Sequence, residues 1–122
     1  MSKKTLVLGA SLKVERYSNI AIKMLLEYEH PVIALGLRKG IIKNVEILTD
    51  LNNAIINNIH TVTLYLNAKR QVDYYDFIID LKPKRVIFNP GTENWGFMEL
   101  LNKNKIEYEV ACTLVLLRTE QY

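Results

Sequence analysis

Short apolar runs alternate with longer amphipathic stretches along this chain, and no other feature of the sequence restricts its fold as much. Residues 5–9, 32–35, 61–66, 85–89 and 108–111 are mostly apolar or β-branched over the length of a strand. Between them, residues 19–28, 68–81 and 94–104 place apolar side chains three and four apart, the spacing of one helix face. Strand, helix and strand in succession form the βα unit. Its right-handed crossover lays successive strands parallel and puts helices on both faces of the sheet. The expectation is an α/β fold: a doubly wound sheet of about five parallel strands, with residues 1–122 as a single domain.

The breaks between runs are marked by residues that end regular structure. Ser18 is the expected N-cap of the first helix, in which Ile20, Met24 and Leu25 form the apolar stripe. Pro31, after His30, closes that helix and opens the second strand, because proline cannot continue a helix interior. Gly36 and Gly40 bracket a turn, residues 45–47 add a short extended piece, and an asparagine-rich, weak helix is expected over 51–57. In the 68–81 helix, Val72, Tyr75, Phe77, Ile78 and Leu81 are candidates for burial; in 94–104, Phe97, Met98 and Leu101 face inward. Residues 114–117 form an apolar tail.

Composition narrows the class. A chain of 122 residues with 49% hydrophobic content can close one core but not two. The single cysteine, Cys112, excludes an internal disulfide framework, and no signal peptide or membrane-spanning apolar run is visible, so a cytoplasmic location is expected. Sixteen basic against thirteen acidic residues give a net charge of +3 without a dense basic block. The seven tyrosines and three phenylalanines fall mainly in apolar or helical stretches and are not interleaved with Lys and Arg. Nucleic acid is therefore disfavoured as a partner and an anionic small molecule is favoured.

In a doubly wound sheet the ligand lies beyond the carboxyl ends of the strands. The first such loop runs from Gly9, Ala10 and Ser11 to Arg16, Tyr17, Ser18 and Asn19 at the opening of a helix. Such a turn suits phosphate: glycine lets the backbone approach closely, the helix start offers unpaired amides, and arginine adds a planar cationic fork. An ordinary strand-to-helix turn accounts for the same residues. The loop lacks the GxGxxG pattern of dinucleotide sites, and Leu35 and Gly36 are followed by Leu37, Arg38 and Lys39 instead of an acid that would hold a ribose hydroxyl. Basic residues there suit an additional phosphate, which NADP and coenzyme A both carry beside the adenosine ribose. A second polar turn, Asn89, Pro90, Gly91, Thr92, Glu93 and Asn94, follows the fourth strand. It reads either as a ligand wall or as a β-turn with an asparagine cap.

In the order GAS, RYSN, VIFNPGTEN and ACTLVLL, residues 6–11, 16–19, 86–94 and 111–117 together resemble the small stand-alone CoA-binding proteins of bacteria. They look like the N-terminal CoA-binding domain of the succinyl-CoA synthetase α subunit. The resemblance covers essentially the whole chain. It implies a Rossmann-like fold that binds coenzyme A or an acyl-CoA, with the diphosphate at Ala10, Ser11, Ser18 and Asn19 and Arg16 as the nearby cation. It also implies that the segment from Gly36 to Lys39 faces the adenosine and its 3′-phosphate. Leu66, Asn67 and the Asn89–Pro90–Gly91 turn would line the path of the pantetheine arm. Relatives often carry a Val-Asn-Pro type sequence after strand two, where this chain has Ala34, Leu35 and Gly36. Trp95, Gly96 and Phe97 are read as anchoring their helix.

No Ser–His–acid set, HExxH or paired metal-ligand spacing is present, and both histidines, His30 and His60, precede strands, away from the ligand side. The sequence is therefore read as a binding module without a catalytic or metal centre of its own, acting as carrier, sensor or regulatory subunit. Cys112 lies at the exit of the last strand. It is either a small buried hydrophobe or a thiol able to form a mixed disulfide with the CoA thiol. Two other classes stay open: an NADP-dependent oxidoreductase-like domain, and an interaction subunit with a vestigial site whose exposed 114–117 run meets a protein partner or forms a homodimer.

Overall fold

The computed structural model describes residues 2–122. Five expected strands are present: β1 (Thr5–Ala10), β2 (Val32–Gly36), β5 (Thr61–Leu64), β6 (Arg85–Phe88) and β7 (Glu107–Val110). Two more, β3 (Gly40–Ile42) and β4 (Val45–Leu48), raise the sheet to seven strands in the order β3-β4-β2-β1-β5-β6-β7. The segment read as a turn and a short extended piece is thus a hairpin: β3 pairs antiparallel with β4, which lies parallel to β2. Every other pairing is parallel. Leaving out the antiparallel edge strand β3, the six parallel strands run 3-2-1-4-5-6 in chain order, the Rossmann-like arrangement whose direction reverses between β1 and β5.

Helices cover both faces: α1 (Tyr17–Glu27), the short α2 (Ala68–Gln71), α3 (Tyr75–Leu81), α4 (Trp95–Lys103) and α5 (Thr113–Arg118). Alternation along β1 sends Leu6 and Leu8 into one cluster with Ile78, Phe88, Phe97, Met98 and Leu101. It sends Val7 into the other, with Ile22, Leu25, Ile87 and Leu117, and an irregularity in the β1–β2 register between Leu8 and Ala10 brings Ala10 to that side as well. Because β1 and β6 are buried on both faces, they read as continuous apolar runs.

Four expectations change for identifiable reasons. The 51–57 helix does not form, because its asparagines bond the local backbone instead: Asn52 Oδ1 accepts from the Ala54 N–H at 2.9 Å, and Asn57 Nδ2 donates to the Ala54 carbonyl at 2.9 Å. Only Ile56 of that segment reaches full burial. The 68–81 helix is interrupted by a 3-10 turn over Val72–Tyr74, which turns Val72 outward. The first helix begins at Tyr17 with Arg16 at the N-cap, so Ser18 is buried inside the first turn instead of capping it. Asn94 does cap α4, accepting from the Phe97 N–H at 3.1 Å; Phe97 is the anchor, whereas Trp95 is 78% exposed and anchors nothing.

The apolar tail becomes α5, whose Leu114 and Leu117 are buried while Val115 is exposed. The run is therefore mainly core, not an exposed face. Leu117→Ala should lower stability by about 2–5 kcal/mol, the range for emptying a fully buried leucine site, measured by urea unfolding.

The amino-terminal edge of the sheet is closed by Tyr122, whose ring lies 4.4 Å from the Arg85 guanidinium and 4.9 Å from the His30 ring. The Lys3 N–H donates to His30 Nδ1 at 2.9 Å, which requires that nitrogen to be unprotonated. Burial first, and then the charges of Lys3 and Arg85, lower the pKa of His30. Burial and Arg85 do the same for His60. Unfolded histidine binds a proton as pH falls through 6.5, before the folded protein does. Stability should therefore be full above that value and decline below it. The urea midpoint should drop between about pH 7.5 and about pH 5.5, and His30→Gln should flatten the drop.

Candidate functional site

The reversal of strand order opens a crevice, because the connections from β1 and β5 leave in opposite directions. Glycine makes the crevice deep. Gly9 has φ +97°, and a Cβ there would sit 3.0 Å from the Tyr65 carbonyl carbon, so the β1 and β5 exits nearly touch. A Cβ on Gly36 would overlap the Ala10 carbonyl oxygen, which lets the β2 exit close against the first loop.

The result is a cleft of about 370 Å³ between the β1, β2 and β5 exits. Of the expected site residues, Gly9, Ala10, Ser11, Arg16, Gly36, Arg38 and Leu66 line it. Lys13, Arg70, Tyr65 and Tyr74 line it as well, together with Leu12 and Leu37. Every charged lining residue is basic, namely Lys13, Arg16, Arg38 and Arg70. Among the described residues the one ion pair, Arg85–Glu109, is elsewhere, so no carboxylate neutralises these four. Burial pushes the Tyr65 pKa up to about 12, with Thr63 and Thr113 beside its hydroxyl.

The loop between β1 and α1 is held by its own polar groups. Ser11 Oγ accepts from the Lys13 N–H at 3.1 Å, the Lys13 carbonyl accepts from the Arg16 N–H at 3.1 Å, and buried Asn19 donates from Nδ2 to the Ser11 carbonyl at 2.9 Å. No side chain caps α1; the Asn19 N–H bonds the Arg16 carbonyl at 3.0 Å, which leaves the Tyr17 and Ser18 amides, at the partial positive end of the helix, without a protein acceptor.

The remaining candidates take other places. Tyr17 is exposed at the start of α1, while Ser18 and Asn19 are buried behind the loop. Lys39 is exposed on the segment leading into β3. Asn67 caps α2, accepting from the Arg70 N–H at 3.0 Å. Asn89 is buried and fully engaged: Nδ2 donates to Thr63 Oγ1 and the Leu64 carbonyl, and Oδ1 accepts from the Thr113 N–H. It clamps the β5 and β6 ends to the start of α5. Pro90 and Gly91 form an exposed turn outside the cleft lining, where Glu93 accepts from the Gly91 N–H at 3.0 Å. Cys112 is half-buried at the N-cap of α5, also outside that lining.

Lys13, Tyr65, Arg70 and Tyr74 were not singled out in the sequence, although signals existed. Lys13 is inside the first loop, and Tyr65 directly precedes Leu66. Arg70 and Tyr74 are four apart in a helical stretch that starts at a strand exit, which puts both on one side of it.

Fold and cleft together define an α/β domain with a nucleotide-type crevice at its switch point. Residues 3–118 match the CoA binding domain family, and the chain belongs to that family. A crystal structure of an uncharacterized protein superposes with a TM-score of 0.95 at 42% identity, covering 100% of this chain and 99% of that one. A protein from Thermus thermophilus, cell-free ID.343, gives 0.86 at 18% identity, covering 99% and 91%. A hypothetical protein from Pyrococcus horikoshii OT3 gives 0.83 at 26% identity, covering 93% and 80%. No curated protein matches the chain. Among the described residues, no helix is long and apolar enough to cross a membrane.

Gly36→Ala tests the closure of the cleft. The added methyl collides with backbone, which cannot rotate away as a side chain does. The variant should lose about 1–3 kcal/mol in urea unfolding, the usual cost of overpacking.

Proposed function

We propose that this protein binds coenzyme A or an acyl-CoA in the cleft between the β1, β2 and β5 exits, as a carrier, sensor or regulatory module that lends its ligand to chemistry done elsewhere. The observation that carries the reading is the lining itself: four basic side chains, no acidic one, and an uncapped helix start, in a member of the CoA binding domain family. Coenzyme A matches that charge, since it carries a diphosphate and a separate 3′-phosphate. In this reading the loop from Gly9 to Ser11, the first amides of α1 and Arg16 receive the diphosphate. Arg38, at the β2 exit, faces the ribose and its phosphate, with Lys39 as an outer charge. Arg70 and Tyr74 close the cleft from the β5 side.

At about 370 Å³ the cleft is near the lower end of small-molecule sites, roughly 300–1,000 Å³. The nucleotide half of the ligand fills it, and the pantetheine arm runs out past Leu66 toward the β6 exit. A thiol or acyl group left outside suits a module that presents its cargo in the cytoplasm to a partner.

A thermal-shift panel of CoA, acetyl-CoA, dephospho-CoA, NAD and NADP tests this. Coenzyme A at about a hundred times Kd should stabilise by about 2.7 kcal/mol, while NADP gives no comparable shift. Dephospho-CoA should lose much of the effect, and Arg16→Ala should weaken CoA without changing the unliganded melting temperature. A shift with NADP that equals or exceeds that of CoA would redirect the assignment to a pyridine nucleotide.

A further inference from the structure

Gln71 is 0% exposed and ends the short helix α2, immediately after Arg70. A buried glutamine is costly unless both ends of its amide are paired. Here they are. Nε2 donates to the Leu66 carbonyl at 2.9 Å and to the Thr92 carbonyl at 2.7 Å, and Oε1 accepts from Asn94 Nδ2 at 2.9 Å. Asn94 Nδ2 also donates to the Tyr75 hydroxyl at 2.7 Å, while Asn94 Oδ1 caps α4. One side chain thus ties the β5 exit, which walls the cleft, to the turn after β6 and the start of α4.

Four residues of helix cannot hold an orientation alone, since nucleation costs more than so few bonds return. Directly after α2 comes the 3-10 turn, so the helix that follows does not extend α2 as a rigid rod. What holds α2 in place is the Asn67 cap at its start and the Gln71 amide at its end. On this pinned segment Arg70 reaches the cleft, as does Tyr74 one turn later.

We propose that Gln71 is a positioning residue: its amide, locked between the Leu66 and Thr92 carbonyls, fixes α2 so that the Arg70 guanidinium meets the anionic ligand. The inference rests on the reading of the cleft as a coenzyme A site and adds to it the device that sets one of its cations. Aligning a planar guanidinium to phosphate oxygens needs an anchored backbone, and Gln71 supplies that anchor without touching the ligand.

The test is a double-mutant cycle on the full chain, with CoA affinity read by calorimetric titration and unliganded stability by urea unfolding. Gln71→Leu and Arg70→Ala should each weaken CoA about tenfold, the worth of roughly one charge-assisted hydrogen bond. The double variant should be no weaker than Arg70→Ala alone, because the effect of Gln71 passes through Arg70. Gln71→Met, which keeps the length of the side chain and its neutral charge but loses both donors, should repeat the result and serves if the leucine variant does not fold. Equal losses from the Gln71 change in wild-type and Arg70→Ala backgrounds, or unchanged affinity in folded Gln71 variants, would overturn the inference while leaving the site reading intact. A wild-type protein that binds no CoA would overturn both.

Discussion

The closeness of three strand exits governs this structure. Between β1 and β5 the backbones approach until a methyl group on Gly9 would press on the Tyr65 peptide, and between β1 and β2 no room remains for a side chain at Gly36. Main chain packed against main chain cannot relax by rotamer changes, so the floor of the cleft is set by van der Waals contact between backbones. The loop from Ser11 to Arg16, the β2 exit at Arg38 and the β5 exit at Leu66 are all placed relative to that floor. A bulkier residue at either glycine would move these walls before any ligand arrived.

The two ends of the sheet spend their polar groups differently. At the amino-terminal edge most are paired internally: Arg85 Nη1 donates to Glu109 and to the Tyr122 main-chain oxygen, Arg85 Nε donates to Thr61 Oγ1, and the Tyr122 hydroxyl meets Thr5 Oγ1, while Arg85 Nη2 is buried without a partner. At the carboxyl-terminal edge the cations of the cleft have no carboxylate partner. Charge that closes the fold is at one end, and positive charge without a carboxylate partner is at the other, where helix starts add their partial positive ends.

Beneath the carboxyl-terminal edge lies a set of buried amides. Asn89 clamps β5, β6 and α5, and Gln71 with Asn94 joins α2 to α4. These residues resemble ligand contacts in a sequence, since asparagine and glutamine at strand exits are what a polar site requires. In the fold their hydrogen-bonding capacity is committed to holding loops in place. Asn89 illustrates why residue type and position are not enough: its neighbours in space, Thr63 and Thr113, are 26 and 24 residues away.

Local pattern determined much of this protein. Strand length and helix spacing in residues 5–28, 61–66 and 85–111 specify the parallel α/β order, because periodicity follows from backbone geometry that each segment carries alone. Gly9 through Ser11, Arg16 and Arg38 were legible for the same reason: once the fold class is granted, their place at strand exits follows from their number. Tertiary structure decided the rest. It paired residues 40–48 as a hairpin on the sheet edge, let asparagine side chains dissolve the expected helix at 51–57, and turned Trp95 outward while burying Leu117. It also brought Arg70 and Tyr74 from the β5 side to line the same cleft as Arg38 and Lys13. The asparagine bonds at 51–57 are local and compete with the helix on its own ground; the others depend on partners farther away in the chain, and a contact between distant residues has no local signature, because its energy exists only after the intervening chain has folded.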